Sequence, residues 1–293
     1  MSAVKKVGDA SEITVVPLGS SVGADVPGVD VSSVSDAQFA LIRDAWMRHH
    51  VLRFRGQSLS KDALLSFSAR FGELDMAPIN AQGEPWIEGH PTLAVMSNIE
   101  EDGAPIGSLG YGEAVWHTDM SYKKVTPSAA ILYALEVTER GGETGFLSMH
   151  RAFESLPADL KEAVSGKSIK HDASRDSSGT LRKGFDAVDD ARQAPGEVHP
   201  IVIRHPESGR QALYLGRRPF SYLVGLELDE SEALLDALWA HATQEEFAWF
   251  QRWEVGDLLI WDNRSVLHTR RAFSPAERRY MLRTQIKGTA PSA

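Results

Sequence analysis

The chain has 293 residues, 42% hydrophobic and 24% charged, with a formal net charge of −9. That acidic balance argues against a nucleic-acid partner, which would need a basic face, and no stretch approaches the ~20 apolar residues of a membrane span. There is no cysteine, which excludes disulfides and thiolate ligands and makes a reducing, cytoplasmic setting the expectation.

Residues 1–10 carry two lysines with no apolar run behind them and do not read as a secretory signal. The first strand-like run is 13–16. Ser35 and Gln38 then form a capping box ahead of Phe39, Ile42 and Trp46, which share one helical face. A second run at 51–54 precedes a helix opened by Ser60, carried through Leu64, Phe67 and Phe71 and closed by Gly72. Further strand-like runs follow at 93–96, 129–135, 200–203, 212–215, 247–253, 258–261 and 280–286. Asp229 with Glu232 resembles the cap of a third helix, with Leu235, Leu238 and Trp239 facing inward. The polar stretch 172–198 is long for a loop in a compact domain, and its place between ligand segments suggests a lid.

No repeat or low-complexity segment interrupts the chain, so one domain over 1–293 is expected. Many strands and few helices predict a mainly β fold with flanking helices. A double-stranded β-helix (the jelly roll, cupin-like) suits it well, because its open mouth gathers side chains from strands distant in sequence.

The chemistry centres on His117-Thr118-Asp119 and the distant His268, which follows Trp261-Asp262-Asn263-Arg264. Two histidines and one carboxylate can occupy one face of an octahedral ferrous ion, leaving three positions open. His-x-acid alone is weak, since composition predicts about 1.4 chance matches. The second match, His205-Pro206-Glu207, reads as a surface histidine in the turn ending at Gly209. Three features favour the first: Gly141-Gly142-Glu143-Thr144-Gly145 after the 129–135 run, the arginines Arg278, Arg279 and Arg283 after His268, and Trp116 and Trp261 placed to shield a metal.

In this order the motifs resemble those of the taurine and phenoxyacetate dioxygenases, the TauD/TfdA family, from Val15 nearly to Gly288. Phe71-Gly72-Glu73-Leu74 and the 205–210 turn are also similar. The resemblance implies an Fe(II)- and 2-oxoglutarate-dependent dioxygenase, with dioxygen as second cosubstrate and His117, Asp119 and His268 as catalytic iron ligands. Thr144 and Arg279 fall where the family holds the distal carboxylate of 2-oxoglutarate. Arg283 falls near the metal-binding end of the cosubstrate and the acidic substrate head. On a strand, 279, 281 and 283 share a face, so both arginines can point inward while Arg278 is exposed.

The implied reaction hydroxylates a small organic anion, of the sulfonate, alkyl sulfate or aryloxyalkanoate class, and releases succinate and carbon dioxide. A carboxylate at 119 favours hydroxylation over halogenation. Ala77 and Asn80 stand where the taurine-type pocket has a histidine and a tyrosine, and Glu113 where it has an asparagine, so taurine is a doubtful substrate. Met120, Tyr122, Phe220 and Tyr222 are further candidates for the substrate wall, and Arg217 and Arg218 offer charge near the mouth. A homo-oligomer, dimer or tetramer, is compatible with the resemblance. A zinc hydrolase using the same triad, or a noncatalytic binding protein of the same fold, are the competing readings.

Overall fold

Seven strands form the larger sheet, in the order Val16–Pro17, Ala24–Asp25, Val51–Phe54, Leu258–Asp262, Ala129–Glu136, Tyr280–Ile286, Ala94–Ser97. Four form the smaller, in the order Ala248–Gln251, Thr144–Ser148, Val266–Arg270, Ala114–His117. All pairs are antiparallel except Ala24–Asp25 beside Val51–Phe54. The computed structural model describes residues 12–19, 21–108, 110–112, 114–177 and 179–293.

Side-chain alternation explains why the sheets stack. Along Leu258–Asp262, Leu258 and Ile260 face one core, and Leu259 and Trp261 face another. Along Ala129–Glu136, Ala129, Ile131 and Tyr133 divide in the same way from Ala130, Leu132 and Ala134. A period of two sends alternate residues to opposite faces, so a strand apolar at every position must be covered on both. The outer core is filled by Ile42 and Trp46 of helix Asp36–His49 and by Leu64 and Phe67 of helix Lys61–Ala69. The inner core is shared between sheets, with Phe146 and Val266 from the smaller meeting Leu132, Trp261 and Met281 from the larger. This is the jelly roll with flanking helices that the sequence leads one to expect. On the far side of the smaller sheet, Leu147 and Leu267 pack with Leu235, Leu238 and Trp239 of helix Leu228–Ala242.

The Ser35–Gln38 capping box is present. The third helix departs from expectation: it starts at Leu228, and Glu227 with Glu230 forms its box. Glu232, two residues past the capping position, binds Arg218 instead. The 200–203 run is two strands, Val198–Pro200 and Val202–Arg204, and the first strand is Val16–Pro17.

His205 is a correction of another kind. It is 2% exposed, and its Nδ1 accepts from the Glu207 and Ser208 amides at 3.2 and 3.1 Å. That leaves Nε2 as the protonated nitrogen, which donates to Asp262 Oδ2 at 2.9 Å. Arg264 grips the same carboxylate with Nε and a terminal nitrogen at 2.8 and 2.7 Å. Burial alone would raise the Asp262 pKa, but Arg264 and His205 hold it well below the usual carboxylate range. Removing one partner of such a buried group strands the others, at about 3–5 kcal/mol. Asp262→Ala is therefore expected to lower unfolding stability by that order, read from denaturant midpoints at constant m.

Two buried histidines make the fold acid-sensitive. Burial, with His150 alongside, pushes His50 down to about 3. Burial, with His199 and Arg217 nearby, does the same to His171. An imidazole that titrates near 6.5 when unfolded then takes its proton first in the unfolded chain. Stability is thus full above about pH 6.5 and falls as pH drops towards 3, by up to about 1.4 kcal/mol per unit for each group. The thermal midpoint of metal-free protein should fall between pH 7 and pH 5, and His171→Phe should flatten that slope.

Candidate metal centre

His117 ends its strand directly opposite His268, in register across the smaller sheet. Val266, His268 and Arg270 alternate onto one face, as period two requires. Asp119 follows two residues past the strand end, and Met120 after it takes a left-handed conformation with φ 50°. Such a conformation is uncommon for a residue with a side chain and turns the chain sharply beside the carboxylate.

His117 Nε2 lies 3.9 Å and His268 Nε2 3.8 Å from Asp119 Oδ1, and the three ligand atoms all fall within 4.8 Å of one another. His117 Nδ1 donates to the Val115 carbonyl at 2.7 Å, which fixes the tautomer and leaves the Nε2 lone pair directed at the cluster. Burial, with His268 alongside, pushes His117 down to about 3, and burial also lowers His268. Burial opposes ionisation of Asp119, but Arg283 and the two imidazoles outweigh it and keep the pKa low. Asp119 Oδ2 is buried without a hydrogen-bond partner, the Gln285 amide standing near but outside bonding geometry. Two neutral imidazoles and an under-satisfied carboxylate converging on one point fit a divalent first-row ion, and ferrous iron among them.

The triad opens into a cavity of about 690 Å³. Arg279, 2% exposed, borders it with no carboxylate within ion-pair distance among the described residues. Burial, reinforced by Arg270, pulls Arg279 down to about 9, as expected for a guanidinium lacking a counterion. Its guanidinium lies 6.0 Å from the centre of the Trp253 ring. Trp253 Nε1 donates to Thr144 Oγ1 at 2.9 Å, so that oxygen is already serving as acceptor and its proton remains for an anion. Gly145, the next residue, makes room for the Trp116–Phe250 contact: a Cβ there would come within 2.7 Å of both rings. Arg283 also borders the cavity, with a terminal nitrogen 3.6 Å from Asp119 Oδ1.

The structure thus gathers His117, Asp119, His268, Thr144, Arg279 and Arg283 around one cavity, together with Met120 and Tyr122. Ala77, Asn80, Phe220 and Tyr222 are not on its wall. Pro78, between the first two, borders it, while the Asn80 side chain turns back, its Oδ1 accepting from the Gln82 and Glu84 amides. The Phe220 ring lies under Arg175, 3.8 Å from the guanidinium carbon to the ring centre. Glu113 falls outside the described residues. Trp116 does not shield the triad: adjacent to His117 on a strand, it faces the other way and packs on Phe250. Trp261 does flank it, its ring centre 5.1 Å from that of His268. Arg278 is exposed and paired with Glu136, as expected. Arg217 and Arg218 part company, for Arg218 is occupied by Glu232 and Asp236 at the surface whereas Arg217 is buried against the cavity.

Trp253 and Arg270 are the residues that sequence reasoning missed. Arg270 had a signal, since it shares the inward face of its strand with His268. Trp253 had none, because it lies beyond the end of strand Ala248–Gln251 and meets Thr144 only in three dimensions.

Residues 14–285 match the family model described as "Taurine catabolism dioxygenase TauD, TfdA family". The chain is 33% identical to the alpha-ketoglutarate-dependent 2,4-dichlorophenoxyacetate dioxygenase of Cupriavidus pinatubonensis, covering 91% of this chain and 95% of that protein. It is 32% identical to pentalenolactone F synthase of Streptomyces avermitilis, over 93% and 92% of the two chains. The crystal structure of a taurine dioxygenase from Burkholderia xenovorans superposes with a TM-score of 0.75 at 31% identity, over 95% of this chain and 92% of that one.

Proposed function

The chain belongs to the TauD/TfdA family of dioxygenases, and from that membership we propose that it hydroxylates a small organic anion of the aryloxyalkanoate, alkyl sulfate or sulfonate class. It is a 2-oxoglutarate-dependent oxidoreductase that uses Fe(II) and dioxygen. The single observation that carries the reading at this site is the convergence of His117, Asp119 and His268 beside an uncompensated Arg279.

When bound, iron, 2-oxoglutarate and dioxygen supply the oxidant, with succinate, carbon dioxide and a hydroxylated substrate carbon as products. His117, Asp119 and His268 would hold the metal. Arg279 offers the distal carboxylate of 2-oxoglutarate two parallel hydrogen bonds, and the Thr144 hydroxyl adds a third. Trp253 fixes both of these groups, one by its N–H and the other by its ring face. Arg283 offsets the charge of Asp119 and attracts a carboxylate arriving at the metal. Trp261 and Phe146 crowd His268 from the inner core, where they exclude water and fix the plane of the imidazole. The segment 172–198 serves as the lid, a role supported by Asp176, Ser177 and Arg182 on the cavity wall. A cytoplasmic setting is part of the proposal, and a chain without cysteine is compatible with it. Among the described residues, no helix is long and apolar enough to cross a membrane.

Related proteins support the substrate class. One is a 2,4-dichlorophenoxyacetate dioxygenase, and others are an alkylsulfatase of Acinetobacter baylyi and a sulfate ester dioxygenase of Pseudomonas putida. The test is succinate release from 2-oxoglutarate with ferrous iron and air, across aryloxyacids, alkyl sulfates and sulfonates. One acid raising succinate well above the substrate-free rate is the expected result. Oxygen-independent turnover of any of them would indicate a hydrolase instead.

A further inference from the structure

A second group of cations borders the same cavity, around Tyr122 and the segment 172–182. Arg217 is its centre. It is 8% exposed, and its Nε is buried without a hydrogen-bond partner. No carboxylate of the described residues lies within ion-pair distance of it. Among the described residues its side chain makes one hydrogen bond, from a terminal nitrogen to the Arg175 carbonyl, which satisfies a dipole and leaves the charge unmatched. Arg182 stands close enough to depress its pKa further and lies over the Tyr122 ring at 4.4 Å. The nearest acids are Asp172 and Asp176. Asp172 Oδ1 is taken by the Ser174 amide and hydroxyl at 2.7 and 2.6 Å, and its Oδ2 is 3.6 Å from Arg175. Among the described residues, the three guanidiniums of Arg175, Arg182 and Arg217 thus have two acids, Asp172 and Asp176, acting on the group, and one positive charge is left over.

The backbone fixes where that charge sits. Gly216 adopts φ +65°, and a Cβ there would fall 1.8 Å from His171 Nδ1. Its carbonyl accepts from the Thr118 amide at 2.9 Å, and Arg217 pairs with His117 across an isolated bridge. An anion on Arg217 would therefore lie next to the metal ligands. A buried, uncompensated cation is costly unless a ligand completes it. The other cavity arginines have other duties: Arg279 faces Thr144 and Trp253, Arg283 already has Asp119, and Arg270 donates to the Gly110 and Gly112 carbonyls and lies over the Phe273 ring.

We infer that Arg217, assisted by Arg182, binds the singly charged acidic head of the primary substrate and so selects acids over neutral analogues. The inference rests on the dioxygenase reading above. It places the head beside His117, with Met120 and Tyr122 along the body of the molecule.

The experiment uses full-length protein loaded with Mn(II) and N-oxalylglycine, in which an NH replaces a methylene of 2-oxoglutarate, so that nothing turns over. Calorimetry first measures the loading, then the binding of phenoxyacetate and octyl sulfate against 2-phenoxyethanol and 1-octanol. The unaltered protein should bind at least one acid about tenfold or more tightly than its alcohol. Arg217→Gln should weaken that acid by at least about tenfold, while changing the alcohol and N-oxalylglycine by less than about twofold. Arg217→Lys, which keeps the charge and guards against a folding defect, should recover part of the preference. Acid-over-alcohol preference unchanged in Arg217→Gln, or absent from the loaded unaltered protein, would overturn the assignment and leave the dioxygenase reading intact. Failure to load Mn(II) and N-oxalylglycine would bring down that reading, and this inference with it.

Discussion

Replacing His268 by alanine is expected to reduce substrate-stimulated succinate release to the metal-free background, a fall of more than about 100-fold. Outer-shell changes around a metal ordinarily cost ten- to a hundredfold, and this one removes a ligand. The loss should appear equally in Fe(II) affinity, because His117 and Asp119 alone cannot complete the face. Folding should survive, since the His268 ring faces the cavity and its Nδ1 has no hydrogen-bond partner to lose. Equal thermal midpoints for the two metal-free proteins would establish that point. Undiminished turnover would remove the metal centre from where the triad puts it.

Arg279→Ala should act on the cosubstrate alone. Truncating one partner of a buried, hydrogen-bonded charge pair costs about 2–5 kcal/mol, which is roughly 30-fold or more in the KM for 2-oxoglutarate. Fe(II) binding should shift less than about threefold, because no ion pair links Arg279 to the triad. Thr144→Val should give a milder loss, of about 1 kcal/mol, for one neutral donor. The variant apoprotein should not be less stable in proportion, because the lost guanidinium was buried without a counterion. If Fe(II) and 2-oxoglutarate affinities fell together in a folded Arg279→Ala protein, the role given to Arg279 would be wrong.

What the sequence made legible follows its periodicities. Ile42 and Trp46, Leu64 and Phe67, and the paired faces of the 258–262 strand all land in the cores that their spacing indicates. The arginines after His268 also obey strand alternation, so Arg279 and Arg283 reach the cavity and Arg278 does not. Contacts made by loops were not legible. His205 looked like a surface residue in a turn, because nothing local reveals that Asp262, 57 positions away, is its partner. Arg217 and Arg218 are indistinguishable as a dipeptide. Only the turn at Gly216 and the acids of helix Leu228–Ala242 divide them into a buried cation and a surface one. Ala77 and Asn80 follow from register with the taurine-type pocket across a loop, where register carries no geometric constraint, and Phe220 is a candidate on its aromatic character alone, which does not fix where a ring points.

The triad and Thr144 come from the smaller sheet and the turn beyond its edge, whereas Arg279 and Arg283 come from the end and middle of a segment in the larger one. The reactive centre is therefore a gauge set between two jaws, and its opening is fixed by whatever fills the gap. Phe146 is in that gap, its ring centre 6.4 Å from that of His268 and 5.6 Å from that of Trp261. The span from metal to carboxylate anchor is thus a property of hydrocarbon thickness, adjustable by a side chain that is itself neither metal ligand nor carboxylate anchor.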